Sequence, residues 1–297
     1  MPSINNTYHV VLTDYAQQMY LNPDNEVDIR KEIFPDVAVD EVIGQYDKYG
    51  KDAALTAVDT ELTPEGSAHR LKQLKTIDTF LAKDHALEIS TWKIRDPEKS
   101  SERHRRAGLN TLMSAQFASS QKQAVDKLKA SVEATENLGA WVSGSGSPID
   151  DIETLLRQVR MGSGRPATKL IMGNKAWSVI RNHPAVVSRV GGITTQVSEE
   201  QFVSLFTVRN LKLVIADTTI EVNGVLTELL ADDVIAVHVQ DEPTAEDLSF
   251  GKNFTTYPNG PEVTTWTQNG IIGVDTLLWT SDYHITNPNA CARLVIS

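Results

Sequence analysis

The stretch from Asp96 to Asn137 constrains this chain most, because its apolar residues recur at helical spacing for longer than a small domain is wide. Asp96-Pro97-Glu98 supplies an N-cap acceptor, a proline tolerated in the first turn and an acid at the positive end of the helix dipole. Leu109, Leu112, Met113, Phe117, Ala124, Leu128 and Val132 follow at steps of three and four, with Lys122, Asp126, Lys129 and Glu133 opposite. At the rise of an α-helix such a rod would reach roughly 50 to 60 Å, so something extended must lie along its apolar side. Gly108 could interrupt it, and Arg103-His104-Arg105-Arg106 could form a separate first turn; the alternative is a pair of core helices with a kink.

Ahead of the rod, the chain lacks the patterning of an independent core. Short helices are predicted over Tyr8 to Tyr20 and Glu26 to Ile33, broken by Pro23 and Pro35, before an extended run at Val37 and Val39. Gly44 to Lys51 alternates like a strand and carries Tyr46 and Tyr49, but Asp52 to Arg70 has too few large apolar residues to bury anything. A return strand is predicted over Gln73 to Lys83, with turn chemistry at Thr63-Pro64-Glu65-Gly66. A two-stranded ribbon is marginal in water, so this excursion needs a surface, on its own chain or on a neighbour.

Behind the rod, Gly144-Ser145-Gly146-Ser147 reads as a joint and a domain boundary. Asp150 and Glu153 cap a helix with Ile152, Leu155, Leu156 and Val159 on one face, up to Gly162. Lys169 to Gly173 is a short buried strand, followed by a helix capped by Asn174 and ended by Pro184. Ser198-Glu199-Glu200-Gln201 is a capping box, and Leu211 to Ala216 and Ala231 to Gln240 are further strands: a small α/β domain. The stretch Val186 to Thr194 is apolar and broken by glycine, the character of an exposed contact loop. The tail is predicted as β structure over Glu262 to Gln268, Ile271 to Ile285 and Cys291 to Ile296, with an Asn269-Gly270 hairpin, returning beside the rod.

Signs of chemistry are missing. The seven histidines show no metal-ligand spacing, and His183 beside Pro184 is read as capping a helix end. Gly162-Ser163-Gly164-Arg165-Pro166-Ala167 fits a dinucleotide motif only superficially, since it runs from helix to strand. Asp150-Asp151 and Glu199-Glu200 are explained by capping and Asp232-Asp233 by a turn. Cys291 is the only cysteine and is expected to be a buried thiol. No catalytic, cofactor or metal site is expected. With 28 Lys and Arg against 39 Asp and Glu, the net charge is −11, a poor match for gripping phosphate backbones. The N-terminus has no basic or apolar leader, and the expectation is a protein made in a cytosol without a membrane anchor.

In order, these parts resemble the tailed-phage major capsid protein family, whose fold is shared with encapsulin shells. The resemblance is carried by Ile33-Phe34-Pro35-Asp36-Val37-Ala38-Val39 with Gly44 to Tyr49, by Leu170 to Pro184, by Phe202 to Val208 before Leu211, and by Leu248 to Phe254 before the last strands. It implies an α+β fold: an N-terminal arm (1–43), an extended β-hairpin loop with its return strand (44–95), a peripheral domain with a long spine helix and strands (96–147 plus 246–297), and an α/β axial domain (148–245). It further implies a structural, non-enzymatic shell subunit forming hexamers and pentamers of an icosahedral head. That head encloses double-stranded DNA without binding it specifically, and is assembled in a bacterial cytoplasm and found in the virion. Scaffolding protein, portal and decoration protein are the implied partners. The absence of a coiled-coil segment ahead of the arm points to a separate scaffold. The implied assembly contacts are Tyr46, Tyr49 and Arg70 in the excursion and Arg189, Gly191, Gly192 and Ile193 in the loop, which would face the symmetry axis. An encapsulin-type compartment is the nearest alternative, and a cytosolic α/β enzyme a distant one.

Overall fold

The computed structural model describes residues 7–21, 27–50, 75–93, 102–136, 140–190, 196–222, 224–268 and 272–296. In chain order the first elements are β1 (Thr7–Tyr8), α1 (Val10–Leu21), α2 (Ile29–Ile33), β2 (Asp36–Ala38), β3 (Ile43–Tyr49), β4 (Lys75–Leu81), β5 (Lys83–Lys93), α3 (Glu102–Ser131) and β6 (Ala134–Glu136). They are followed by α4 (Pro148–Ser163), β7 (Lys169–Gly173), α5 (Asn174–Arg181), α6 (Pro184–Val190), α7 (Glu199–Val203), β8 (Lys212–Ala216), β9 (Thr219–Val222), β10 (Val225–Glu228) and β11 (Asp233–Val237). The tail holds β12 (Gly251–Thr255), β13 (Glu262–Gln268), β14 (Ile272–Ser281), β15 (Tyr283–Ile285) and β16 (Cys291–Val295).

Helix α3 is the spine, with 30 residues and a length of about 45 Å. It is shorter than the periodicity suggested: it stops at Ser131, where the chain turns into β6, and it runs through Gly108 without a break. Asp96-Pro97-Glu98 lies outside the described residues. The helix serves two cores. Leu109, Leu112 and Met113 pack with Leu12, Ala16, Val263 and Leu277, under the sheet ordered β1-β13-β14-β5. Ala124, Val125 and Leu128 pack with Ile171, Ile235 and Val237, under the sheet ordered β6-β16-β11-β7-β8. Between the two cores, Gln116, Ser120 and Gln121 are buried, so the polar break in the apolar stripe marks the junction. Arg105 near one end forms an ion pair with Asp275, and Lys129 near the other reaches Asp233 at 3.0 Å.

The five-stranded sheet is covered on both faces. Along β7 and β11, Leu170, Met172, Val234 and Ala236 face the layer of α4 to α7, while Ile171, Ile235 and Val237 face α2 and α3. Such two-sided burial explains why these strands read as continuous apolar runs. At the end of β7 a Cβ on Gly173 would sit 1.4 Å from the Leu230 carbonyl oxygen, so only glycine fits there.

Several local expectations are corrected. The cap of α4 is Ser147 with Pro148 at N1, not Asp150 with Glu153, and α5 is preceded by Gly173 with no side-chain cap, not capped by Asn174. Pro184 begins α6 instead of merely ending α5, and that helix takes up Val186 to Val190, so this half of the expected loop is helical with Val186 buried. Trp141 is buried and its Nε1 donates to Asp151 at 2.8 Å, which makes the supposed joint a packed turn. Asp233 is not in a turn but opens β11, between Lys129 and Arg293. Ser198 and Gln201 do form the capping box of α7, and Gly164 ends α4 in the left-handed region at φ 71°. The tail divides between sheets: β13 and β14 pair beside the spine, whereas β16 pairs with β11 inside the five-stranded sheet. On its other side β16 pairs with β6, which directly follows the spine, so the last strand lies between the spine's own strand and β11.

Candidate assembly surfaces

The return from the excursion does not stop at Lys83. β4 is followed at once by β5, an 11-residue strand pairing with β14, so the hairpin of β3 and β4 rises directly from a strand of the body. Its register pairs Gly44 with Phe80, Tyr46 with Asp78 and Ile43 with Leu81. Residues opposite each other share a face, and alternate pairs point to opposite faces. Phe80 and Tyr46 therefore point together into the body, where Phe80 stacks on Phe254 with centroids 4.4 Å apart and Tyr46 lies 5.3 Å from the same ring. Gly44 makes room for this: a Cβ there would fall 2.4 Å from Cζ of Phe80. The other face carries Ile43 and Ile77, 64% and 65% exposed, with Leu81 beside Ile43.

Polar contacts pin the inner face. The Leu81 N–H donates to Asp282 Oδ2 at 2.8 Å, and the Tyr49 N–H donates to the Thr286 carbonyl at 2.8 Å. His284 bridges Asp282, 2.7 Å from Nε2, and the Tyr46 hydroxyl, 2.9 Å from Nδ1; that hydroxyl also lies 3.2 Å from Asp78. Burial, reinforced by Asp78, holds the Tyr46 phenol well above its ordinary range, and burial with Asp47 pushes Tyr49 to about 12. Burial alone would raise the Asp282 carboxyl, but the hydrogen bonds from His284 and the Leu81 amide hold it below the usual carboxylate range. Asp78 is likewise lowered, first by the Thr79 N–H.

The expected contact residues separate into three groups. Tyr46 is only 4% exposed and spends its ring on its own chain, so it anchors the hairpin and is not a free contact. Tyr49 is half-buried, its hydroxyl donating to the Glu246 carbonyl, and Arg189 is exposed on α6. Arg70, Gly191, Gly192 and Ile193 lie outside the described residues. The outward residues Ile43, Ile77 and Leu81 were not singled out from sequence, although strand alternation about Tyr46 and Phe80 places them opposite the anchored face. His183 is buried and accepts the Ala185 N–H at 3.2 Å, so it caps the start of α6. Burial pushes the Cys291 thiol far above its ordinary range, which keeps it protonated. Among the described residues, no helix is long and apolar enough to cross a membrane.

No family model matches the sequence, and no curated protein matches it. The fold does have counterparts. A phage-related protein from Bordetella bronchiseptica RB50 superposes with a TM-score of 0.77 at 18% identity, covering 98% of this chain and 97% of that one. A protein assigned as a prophage capsid protein of Escherichia coli CFT073 gives 0.53 at 13% identity, covering 98% and 99%. The SrpI encapsulin of Synechococcus elongatus PCC 7942 gives 0.54 at 13% identity, covering 94% and 93%.

Proposed function

We propose that this chain, which has the fold of tailed-phage major capsid proteins and encapsulin shells, is a structural shell subunit that builds hexamers and pentamers of an icosahedral phage head around double-stranded DNA. The observation that carries this reading is the hairpin stem: one face is anchored on its own body, and the other presents Ile43, Ile77 and Leu81 to solvent. A projecting apolar ribbon is a liability in a lone soluble protein and an asset when an identical neighbour covers it. The sequence left open whether the excursion lies on its own chain or on a neighbour, and the anchored inner face uses its own chain for one side. Fold likeness over nearly the full length of the Bordetella and Escherichia proteins supports the same reading.

On this reading the virion is the final location, assembled in a host cytoplasm with a scaffolding protein, a portal and a decoration protein as partners. The net charge of −11 suits a lumen that holds DNA without adhering to it. The likeness to an encapsulin supports a second reading, a compartment that encloses protein cargo. Light scattering and electron microscopy of purified protein, with and without its scaffold, test both. Large closed particles are expected, their contents deciding between DNA and protein, and a subunit that stays monomeric under all assembly conditions would overturn both.

A further inference from the structure

Along the outer side of α4 runs a groove of about 1070 Å³, closed at one end by the turns that precede β7 and β8. Arg157, Arg160, Arg165 and Arg209 line it, with Met161 and Val208 providing apolar surface. Met161 is 74% exposed, an unusual state for a large apolar side chain. All four arginines are exposed, and among the described residues none forms an ion pair with a carboxylate. Four unpaired guanidinium groups around apolar surface, in a protein of net charge −11, form a receptor for something both acidic and apolar.

The same chain carries a matching surface. In the β9–β10 hairpin, Leu226 lies directly opposite Glu221, and Glu228 is two residues further along the same face. Leu226 is 75% exposed and the carboxylates flank it in solvent, while Ile220, on the opposite face, is buried in the body. This knob is an apolar centre between two carboxylates. It cannot reach the groove of its own subunit. β7 and β8 run parallel, and Arg165 and Arg209 come just before these strands, whereas β9 begins just after β8 ends. Five-residue strands, about 17 Å long, separate the two surfaces.

We infer that the Leu226 knob of one subunit docks into the arginine groove of the next copy, a head-to-tail contact that repeats around a ring. Complementary surfaces at opposite ends of one unit generate closed rings or open filaments, never isologous pairs. The inference rests on the shell reading for its biological setting. Asp150 and Glu153 line the same groove and offset two of its four arginines, which leaves a charge that the knob's two carboxylates balance and that a continuous phosphate backbone would exceed, so a nucleic acid is the less favoured occupant.

Four variants of the full chain test it. Reversing the groove (Arg157→Glu with Arg160→Glu) or the knob (Glu221→Arg with Glu228→Arg) should cut the assembled mass about tenfold or more. Combining both reversals should restore it, with far-UV circular dichroism unchanged throughout. Separately, the Met161→Cys/Leu226→Cys double variant, mildly oxidised at high concentration, should give a ladder of covalent oligomers on a denaturing gel. That ladder does not require closed shells. Absence of the ladder while wild-type particles form would overturn the contact alone. A ladder from a protein that never forms particles would support the contact and overturn the shell reading. Groove reversal that leaves particles intact but strips co-purifying nucleic acid would also overturn the contact, assigning the groove to phosphate binding.

Discussion

The five-stranded sheet and the β3–β4 hairpin answer the same problem in opposite ways. In β7 and β11 every residue is buried, with one apolar set against α4 to α7 and the other against α2 and α3. In β3 and β4 the inner residues Tyr46 and Phe80 are buried and the outer residues Ile43, Ile77 and Leu81 are not. The first structure is finished by its own chain. The second is finished on one face only, and on the proposed reading the open face is the part a neighbouring copy would cover. The spine helix connects the two regions, because its N-terminal half supports the sheet from which the hairpin springs and its C-terminal half supports the finished one.

The harshest way to break the comparison is to spoil the finished sheet. Ile171→Asp would bury a charge with no partner between the sheet and the spine, and with a cost well above about 4 kcal/mol no folded protein is expected by circular dichroism. Phe254→Ala removes the ring beneath both Phe80 and Tyr46 and is expected to cost about 3–5 kcal/mol. Hydrogen exchange should show that loss mostly as opening of β3 and β4, with the amides of β7 and β11 still protected. Equal loss of protection in both regions would mean that the hairpin and the sheet form one cooperative unit.

Acid should act in the same direction, more gently. Asp78 and Asp282 hold folded-state values below the ordinary carboxylate range. Their contribution is therefore present above that range and is lost as pH falls through the lowered values. The Leu81 amide, which donates to Asp282, should lose exchange protection in this acid window while the five-stranded sheet keeps its own. The smallest effect on the subunit is expected from Ile77→Ser on the outer face, within about 0.5 kcal/mol of wild type in chemical denaturation. Its particle yield should nevertheless fall. Normal yield with normal stability would show that the outer face is not covered in the assembly.

The sequence by itself determined the elements whose signals are local. The spine's stripe, the capping box at Ser198, the buried run of β7 and the strands around Asn269-Gly270 were all legible because helical period, capping chemistry and apolar runs act within a few residues. The capsid-like order of parts was legible for the same reason. Only the tertiary structure decided which half of each amphipathic element is used up. Tyr46 looked like a contact residue, and Phe254, some two hundred positions away, makes it an anchor. Asp232-Asp233 looked like a turn, and Lys129 and Arg293 make Asp233 an interior charge that fastens the spine to the sheet. The terminal strand was expected beside the spine, where it pairs with β6, and only the structure shows that its other edge is taken by β11. Burial depends on what the rest of the chain brings to a surface, and a sequence pattern shows that a face is apolar without showing whether its own fold or another copy covers it.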